Sequence, residues 1–136
     1  MILRGGGREF ELRPVAYQFP AEQRNEWDAN WLVMYLRVGG FACTDPFLLT
    51  AEARELGEWL AAPEGDLRFT EPNLTLEATE GAGGGVDLCI RLAAECRPPG
   101  GEGAVIRMAI SREDLRAAGE GFLGELAAFP VRRCGG

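Results

Sequence analysis

Along most of the chain, apolar and polar residues alternate with a period of two, the mark of strands with one buried face. Phe10, Leu12, Val15 and Tyr17 outline a first strand. Pro14 within it marks an edge or a bulge, because proline has no N–H to give a ladder. Trp31 to Val38 is almost continuously apolar, as expected of a central strand covered on both faces. Phe41 to Leu49 reads as its partner, interrupted at Asp45-Pro46, where an Asx-type kink re-aims the strand or the acid projects from a binding surface. Three further segments alternate: Leu74, Leu76 and Ala78; Leu88, Ile90, Leu92 and Ala94; and Ala104, Ile106, Met108 and Ile110. Glycine-rich turns join these three into an antiparallel meander.

The period changes to that of a helix twice. From Thr50, read as the cap, to Ala62, residues Ala53, Leu56 and Leu60 share one face, and Pro63 ends the run. Glu52, Glu55 and Glu58 with Arg54 form its wet side, and Trp59 lies one position off the apolar face, predicting half-exposure. Ser111-Arg112-Glu113-Asp114 has the form of a capping box, and Leu115, Ala118, Phe122, Leu126 and Phe129 make the stripe of a second helix that stops before Pro130. Gly119, Gly121 and Gly124 each weaken this helix by up to ~1 kcal/mol relative to alanine.

These elements predict an α+β fold: an antiparallel sheet of about six strands with two helices packed on it. The expected organisation is a single domain over 1–136, with N-terminal strands at 9–49, a helix at 50–62, a strand meander at 67–110 and a C-terminal helix at 111–129. Gly81 to Gly85 looks like a phosphate loop only superficially, since a strand rather than a helix N-terminus follows it; a hairpin tip is the better account. Arg97-Pro98-Pro99-Gly100 reads as a stiff turn between strands.

Composition narrows the chemistry. The 136 residues include no His and no Lys, and Ser111 is the one serine, committed to the cap. Ser-His and Cys-His nucleophiles, Schiff-base lysines, P-loop chemistry and His-ligated metals each need a residue this chain lacks. The formal net charge of −7 is spread along the chain, with 7 Arg against 11 acids in residues 1–68 and 7 against 10 in the remainder. Such a domain repels phosphate backbones and anionic lipid and suits a basic partner. Cys43, Cys89, Cys96 and Cys134 form no C-x-x-C pair, and Met1 to Gly7 carries no apolar signal-peptide core. The expectation is a cytoplasmic protein with free, unreactive thiols, without metal or cofactor. Glu26 and Asp28, with Glu71 elsewhere, are the carboxylates that an acid–base or hard-cation site could use. The competing account has Asp28 and Asn30 capping a turn while Trp27 and Trp31 bury their ring faces.

Taken in order, several segments resemble the WapI family of bacterial immunity proteins. They are Glu26-Trp27-Asp28-Ala29-Asn30-Trp31-Leu32, then Asp45-Pro46-Phe47-Leu48-Leu49-Thr50 leading into Glu55-Leu56 and Trp59-Leu60. Phe69-Thr70-Glu71-Pro72-Asn73-Leu74, Arg97-Pro98-Pro99, and the Glu113-Asp114-Leu115 helix closing at Phe129-Pro130 complete the resemblance, which spans roughly residues 8 to 133. The D-x-N-W-L and E-P-N-L pieces are its most specific parts. The resemblance implies a non-catalytic protein that binds the C-terminal effector domain of a contact-dependent toxin and blocks it. Effectors of this kind are often nucleases with basic grooves. The shared motifs are then expected to be scaffold, because contact surfaces vary with the toxin. The candidate contacts are acids and aromatics expected outside the core: Glu26, Asp28, Asp45, Glu55, Glu58, Trp59 and Glu71. The alternatives are a binding or scaffold domain that dimerises through an exposed sheet edge, and a carboxylate-dependent enzyme.

Overall fold

The computed structural model describes residues 1–22 and 25–133; Cys134 and the terminal Gly135-Gly136, expected to be a free thiol and a tail, lie outside the described residues. The class is α+β, but the strands divide into two antiparallel four-stranded sheets instead of one sheet of six. The first holds β1 (Ile2–Gly5), β2 (Arg8–Tyr17), β3 (Trp31–Val38) and β4 (Phe41–Leu49), in that order. The second holds β5 (Gly65–Leu67), β6 (Leu74–Glu80), β7 (Val86–Leu92) and β8 (Val105–Ile110), also in order. Helix α1 (Glu26–Ala29) precedes β3, α2 (Thr50–Trp59) joins the sheets, and α3 (Arg112–Leu126) follows β8.

Strand alternation places the core. Leu3, Phe10, Leu12, Met34, Leu36 and Leu48 from the first sheet join Leu76, Leu88, Ile90, Ile106 and Met108 from the second in one buried cluster, closed by Leu56, Leu60, Leu115 and Phe122 of the helices. β3 is covered fully on one face only. Val33, Tyr35 and Arg37 lie on its outer face, half-exposed, beneath a ladder in which Arg37 pairs with Glu9 at 2.7 Å and with Glu11 at 3.1 Å. Arg4 and Arg37 together hold the Glu9 carboxyl below the usual carboxylate range.

Both prolines in the first sheet act through bulges. The β2–β3 register shifts between Pro14 and Ala16, which leaves Val15 outside the ladder and exposed. Opposite Leu32 and Val33, β4 carries Phe47 as an extra residue between Leu48 and Pro46. That bulge breaks the period of two, so that consecutive Phe47 and Leu48 are both buried.

Thr50 begins α2 as its first helical residue, with Leu49 in the cap position, instead of capping it. Glu52 is not on a wet side: one carboxylate oxygen accepts from Leu49 N at 3.0 Å and the other from Thr70 N at 2.7 Å. Ser111 does cap α3, its hydroxyl accepting from Asp114 N at 3.0 Å. The two helices cross where Gly119 faces Gly57: a Cβ on Gly119 would stand 2.5 Å from Gly57 O. Residues 81–85 form a hairpin tip, as expected, yet the fold does bring a helix N-terminus to it. Arg112, at the start of α3, donates to Gly84 O at 2.9 Å and clasps the tip. Ala94 does not extend β7; it sits in the left-handed region at φ 52°, opening the turn Ala94–Cys96.

Candidate functional site

The D-x-N-W-L segment builds α1 and fixes it. Asn25 is extended, and its side chain accepts from Trp27 N at 2.9 Å, starting a single helical turn. Asn25 therefore does the capping expected of Asp28. Asn30 ends the turn, and its buried amide uses every hydrogen-bonding position it has. Nδ2 donates to Glu26 O at 2.7 Å and to Arg132 O at 2.8 Å. Oδ1 accepts from Thr50 Oγ1 and from Arg132 N, each at 2.8 Å. One side chain thus ties α1 to the start of α2 and to the segment after α3.

That segment is held again by Arg132, whose guanidinium stacks 3.4 Å from the Tyr17 ring centroid and donates to Phe19 O at 3.0 Å. Tyr17 donates to Pro130 O at 2.5 Å and meets the Phe129 ring edge-on. On this rigid support the outer side of α1 displays Trp27. Its ring stands edge-on to Trp31 with centroids 5.4 Å apart, and the residue is 51% exposed, where a buried ring face was expected. Glu26 beside it is exposed and Asp28 half-buried.

The E-P-N-L segment is a second bolt. Asn73, 1% exposed, sends Nδ2 toward Asp45 Oδ2 at 3.0 Å, Glu95 Oε2 at 3.4 Å and Cys96 Sγ at 3.6 Å. Its main-chain carbonyl accepts from Ala93 N at 3.0 Å. Asp45 pairs across β3 with Met34 and so lies on the inner side of β4, turned toward Asn73 instead of projecting from the surface. The Cys43 thiol lies 3.0 Å from that of Cys96 and 3.2 Å from Glu95 O. Burial, and Cys43 beside it, push the Cys96 thiol up to about 12.

The other candidates scatter around α2. Glu55 and Glu58 are exposed on it, while Trp59 is half-buried as expected, its indole donating to Glu64 O at 3.2 Å. Glu71 is exposed in the turn before β6, next to Thr70, which Glu52 holds against the first turn of α2. Chain neighbours of these acids reach the first turn of α2: Asn30, which follows α1, bonds Thr50, and Thr70, which precedes Glu71, bonds Glu52. Among the described residues no group of three or more acids and cysteines is placed to hold a metal ion, and no helix is long and apolar enough to cross a membrane. Sequence reasoning missed Trp27 as a surface residue. No sequence signal marked it, because the single helical turn Glu26–Ala29 is too short to show a period.

Desolvation first, and then the Glu95 carboxylate, push the Asp45 carboxyl above the ordinary aspartate value, partly opposed by the Asn73 hydrogen bond. The folded state therefore binds this proton more tightly than the unfolded chain, and the associated stability fades as pH rises through the folded value. Asp45→Asn keeps an oxygen for Asn73 and removes the repulsion. It is expected to melt above the parent at about pH 7, with the gap closing on acidification through the carboxylate range. Thermal melts from about pH 3 to pH 8 check the crossing, and a gap independent of pH would exclude the Asp45 charge as its cause.

A family model described as the immunity protein WapI-like family matches residues 1–130. Comparison with curated proteins and with solved structures returned no match.

Proposed function

The chain belongs to the WapI-like family of immunity proteins, and from that premise we propose that it neutralises a basic toxin domain by binding alone, through the face built around α1. Membership supports a toxin-neutralising role in general; the chemistry of the partner and the face come from the molecule. The observation that carries the placement is Trp27, half out of the protein between two acids on a turn that Asn30 and Arg132 hold rigid. A preorganised tryptophan loses little entropy on docking and fills a partner pocket well, which is the usual make-up of an interface hot spot. Glu26 and Asp28 beside it, the exposed Glu71 next to Thr70, and a net charge of −7 supply the field that draws in a cationic groove such as that of a nuclease. Glu55, Glu58 and Trp59 extend this surface along α2. Asp45 belongs to the inner network and shapes the scaffold. The site of action is the cytoplasm, with no direct binding of nucleic acid or membrane.

Co-purification with the tagged chain from its native cells tests this reading. The expected result is one basic polypeptide at stoichiometric level, inactive while bound. Trp27→Ala is expected to weaken that complex by about 30-fold or more, with the circular dichroism unchanged. Glu26→Arg and Asp28→Arg are expected to slow association, an effect that fades at high salt. Recovery of the chain alone, as a monomer or a symmetric dimer, would overturn the inhibitor reading. A complex indifferent to Trp27 would move the face elsewhere.

A further inference from the structure

The cysteine pair between the sheets has no part in that reading. Cys43 comes from β4, and Cys96 from the turn after β7, where a left-handed Ala94 aims the chain back toward the first sheet. Their sulfurs are 3.0 Å apart, so closure to the bonded distance of about 2.05 Å needs a shift of roughly 1 Å. Neither sulfur sits there by a free rotation. Cys43 is fixed by its contact with Glu95 O, and Cys96 by the Asn73 amide and by the hydrogen bond from its own N to Ala93 O at 3.0 Å. Cys43 is half-exposed while Cys96 is fully buried, which gives the two thiols different roles.

We propose that Cys43 and Cys96 are a reversible oxidation site, closed to a disulfide by low-molecular-weight disulfides, that fastens β4 to the turn after β7 and so one sheet to the other. Cys43 is the entry point. Its thiolate attacks one sulfur of the small disulfide, breaking that S–S bond and releasing one thiolate, which takes up a proton. Cys96 then gives its proton to solvent as its sulfur attacks Cys43 Sγ, expelling the second small thiol. Two electrons and two protons leave the pair, and the oxidant departs as two thiols. Burial, and then the Cys43 thiol and the Asp45 carboxylate, oppose thiolate formation at Cys96, so the closing step is slow and the dithiol persists in a reducing compartment. Once formed, the bond shortens the unfolded chain's reach across the whole 43–96 span and adds a covalent link between two elements that otherwise meet through non-covalent contacts.

The test uses the full chain, incubated with oxidised glutathione at about pH 8.5, quenched by alkylation and digested after arginine without reduction. Such cleavage leaves each of the four cysteines in a separate peptide, because arginines lie between them. The expected result is an intact mass lower by about 2 Da before alkylation, one linked pair joining the Cys43 and Cys96 peptides, and a Tm higher by about 5–15 °C that dithiothreitol reverses. Cys43→Ser, which keeps a donor for Glu95 O, is expected to abolish all three changes. Cys43 ending as a stable glutathione adduct, pairing with Cys89 or Cys134, or staying free would each overturn the proposal. The map on the unmutated chain decides this whether or not the variant folds.

Discussion

Gly119→Ala is expected to destabilise the protein by about 2 kcal/mol and to lower Tm by about 5–10 °C, although alanine is the better helix former. The two effects oppose each other at this position. Removing a glycine from a helix interior gains up to ~1 kcal/mol. The new methyl, however, would stand 2.5 Å from Gly57 O and 3.0 Å from the Leu60 Cβ, and neither is a loose side-chain end that can swing away. The α2–α3 crossing must open, and apolar contacts of Leu56, Leu60 and Phe122 are lost with it. Gly121 and Gly124 supply the internal control. They lie on the exposed side of the same helix with nothing within 4 Å of a built Cβ, so alanine at either is expected to stabilise by up to ~1 kcal/mol. Denaturant unfolding of the three variants side by side reads the sign directly. A Gly119 variant as stable as the other two would mean that the helices do not approach so closely.

That contrast shows where reading the chain stops. The sequence marks all three glycines as costs, because propensity is local; the partner that makes Gly119 necessary lies far back in the chain. Hairpins were legible for the same reason that crossings were not. A continuous apolar run with its following glycine turn announces β3–β4, and period-two alternation with glycine turns announces β6 through β8, since paired strands follow one another directly. Alternation says which face of a strand is buried but not whether pairing continues past a helix, so the break between the sheets at α2 was invisible. β1 and β5 were missed because they are four and three residues long, too short to show a period. Cys43 and Cys96 likewise have no spacing signal, since their meeting depends on how the two sheets stack. The motif asparagines fared better. Within D-x-N-W-L and E-P-N-L, expected to be scaffold, Asn30 and Asn73 each hold several chain segments with one buried amide, while Asp28, with Glu26 and Trp27 before it, belongs to the face proposed for the toxin. What chemistry demanded at those positions was readable, though the partners were not.

Asn30→Ala is expected to cost more than Gly119→Ala, about 3 kcal/mol and a Tm lower by about 10 °C. It removes four hydrogen bonds and strands their partners: the Thr50 hydroxyl, the Arg132 N–H, and the carbonyls of Glu26 and Arg132. Those groups are buried or partly buried, so desolvation is recovered only where water can enter. Amide exchange at Arg132 N, which donates to Asn30 Oδ1, is expected to accelerate more than the global loss requires. Asn30→Asp separates geometry from donors. It keeps the acceptor for Thr50 and Arg132 N but sets a carboxylate against two carbonyl oxygens. Its folded pKa must then rise, and its deficit is expected to shrink as pH falls through the carboxylate range, where protonation restores one donor. The same bonds orient the turn that carries Trp27, so Asn30→Ala is expected to weaken toxin binding without touching the partner. That loss should appear as heterogeneous, faster dissociation, with the salt dependence of association left as it is. Unchanged Tm together with unchanged exchange at Arg132 would show that the tail and α1 are held by something other than this amide.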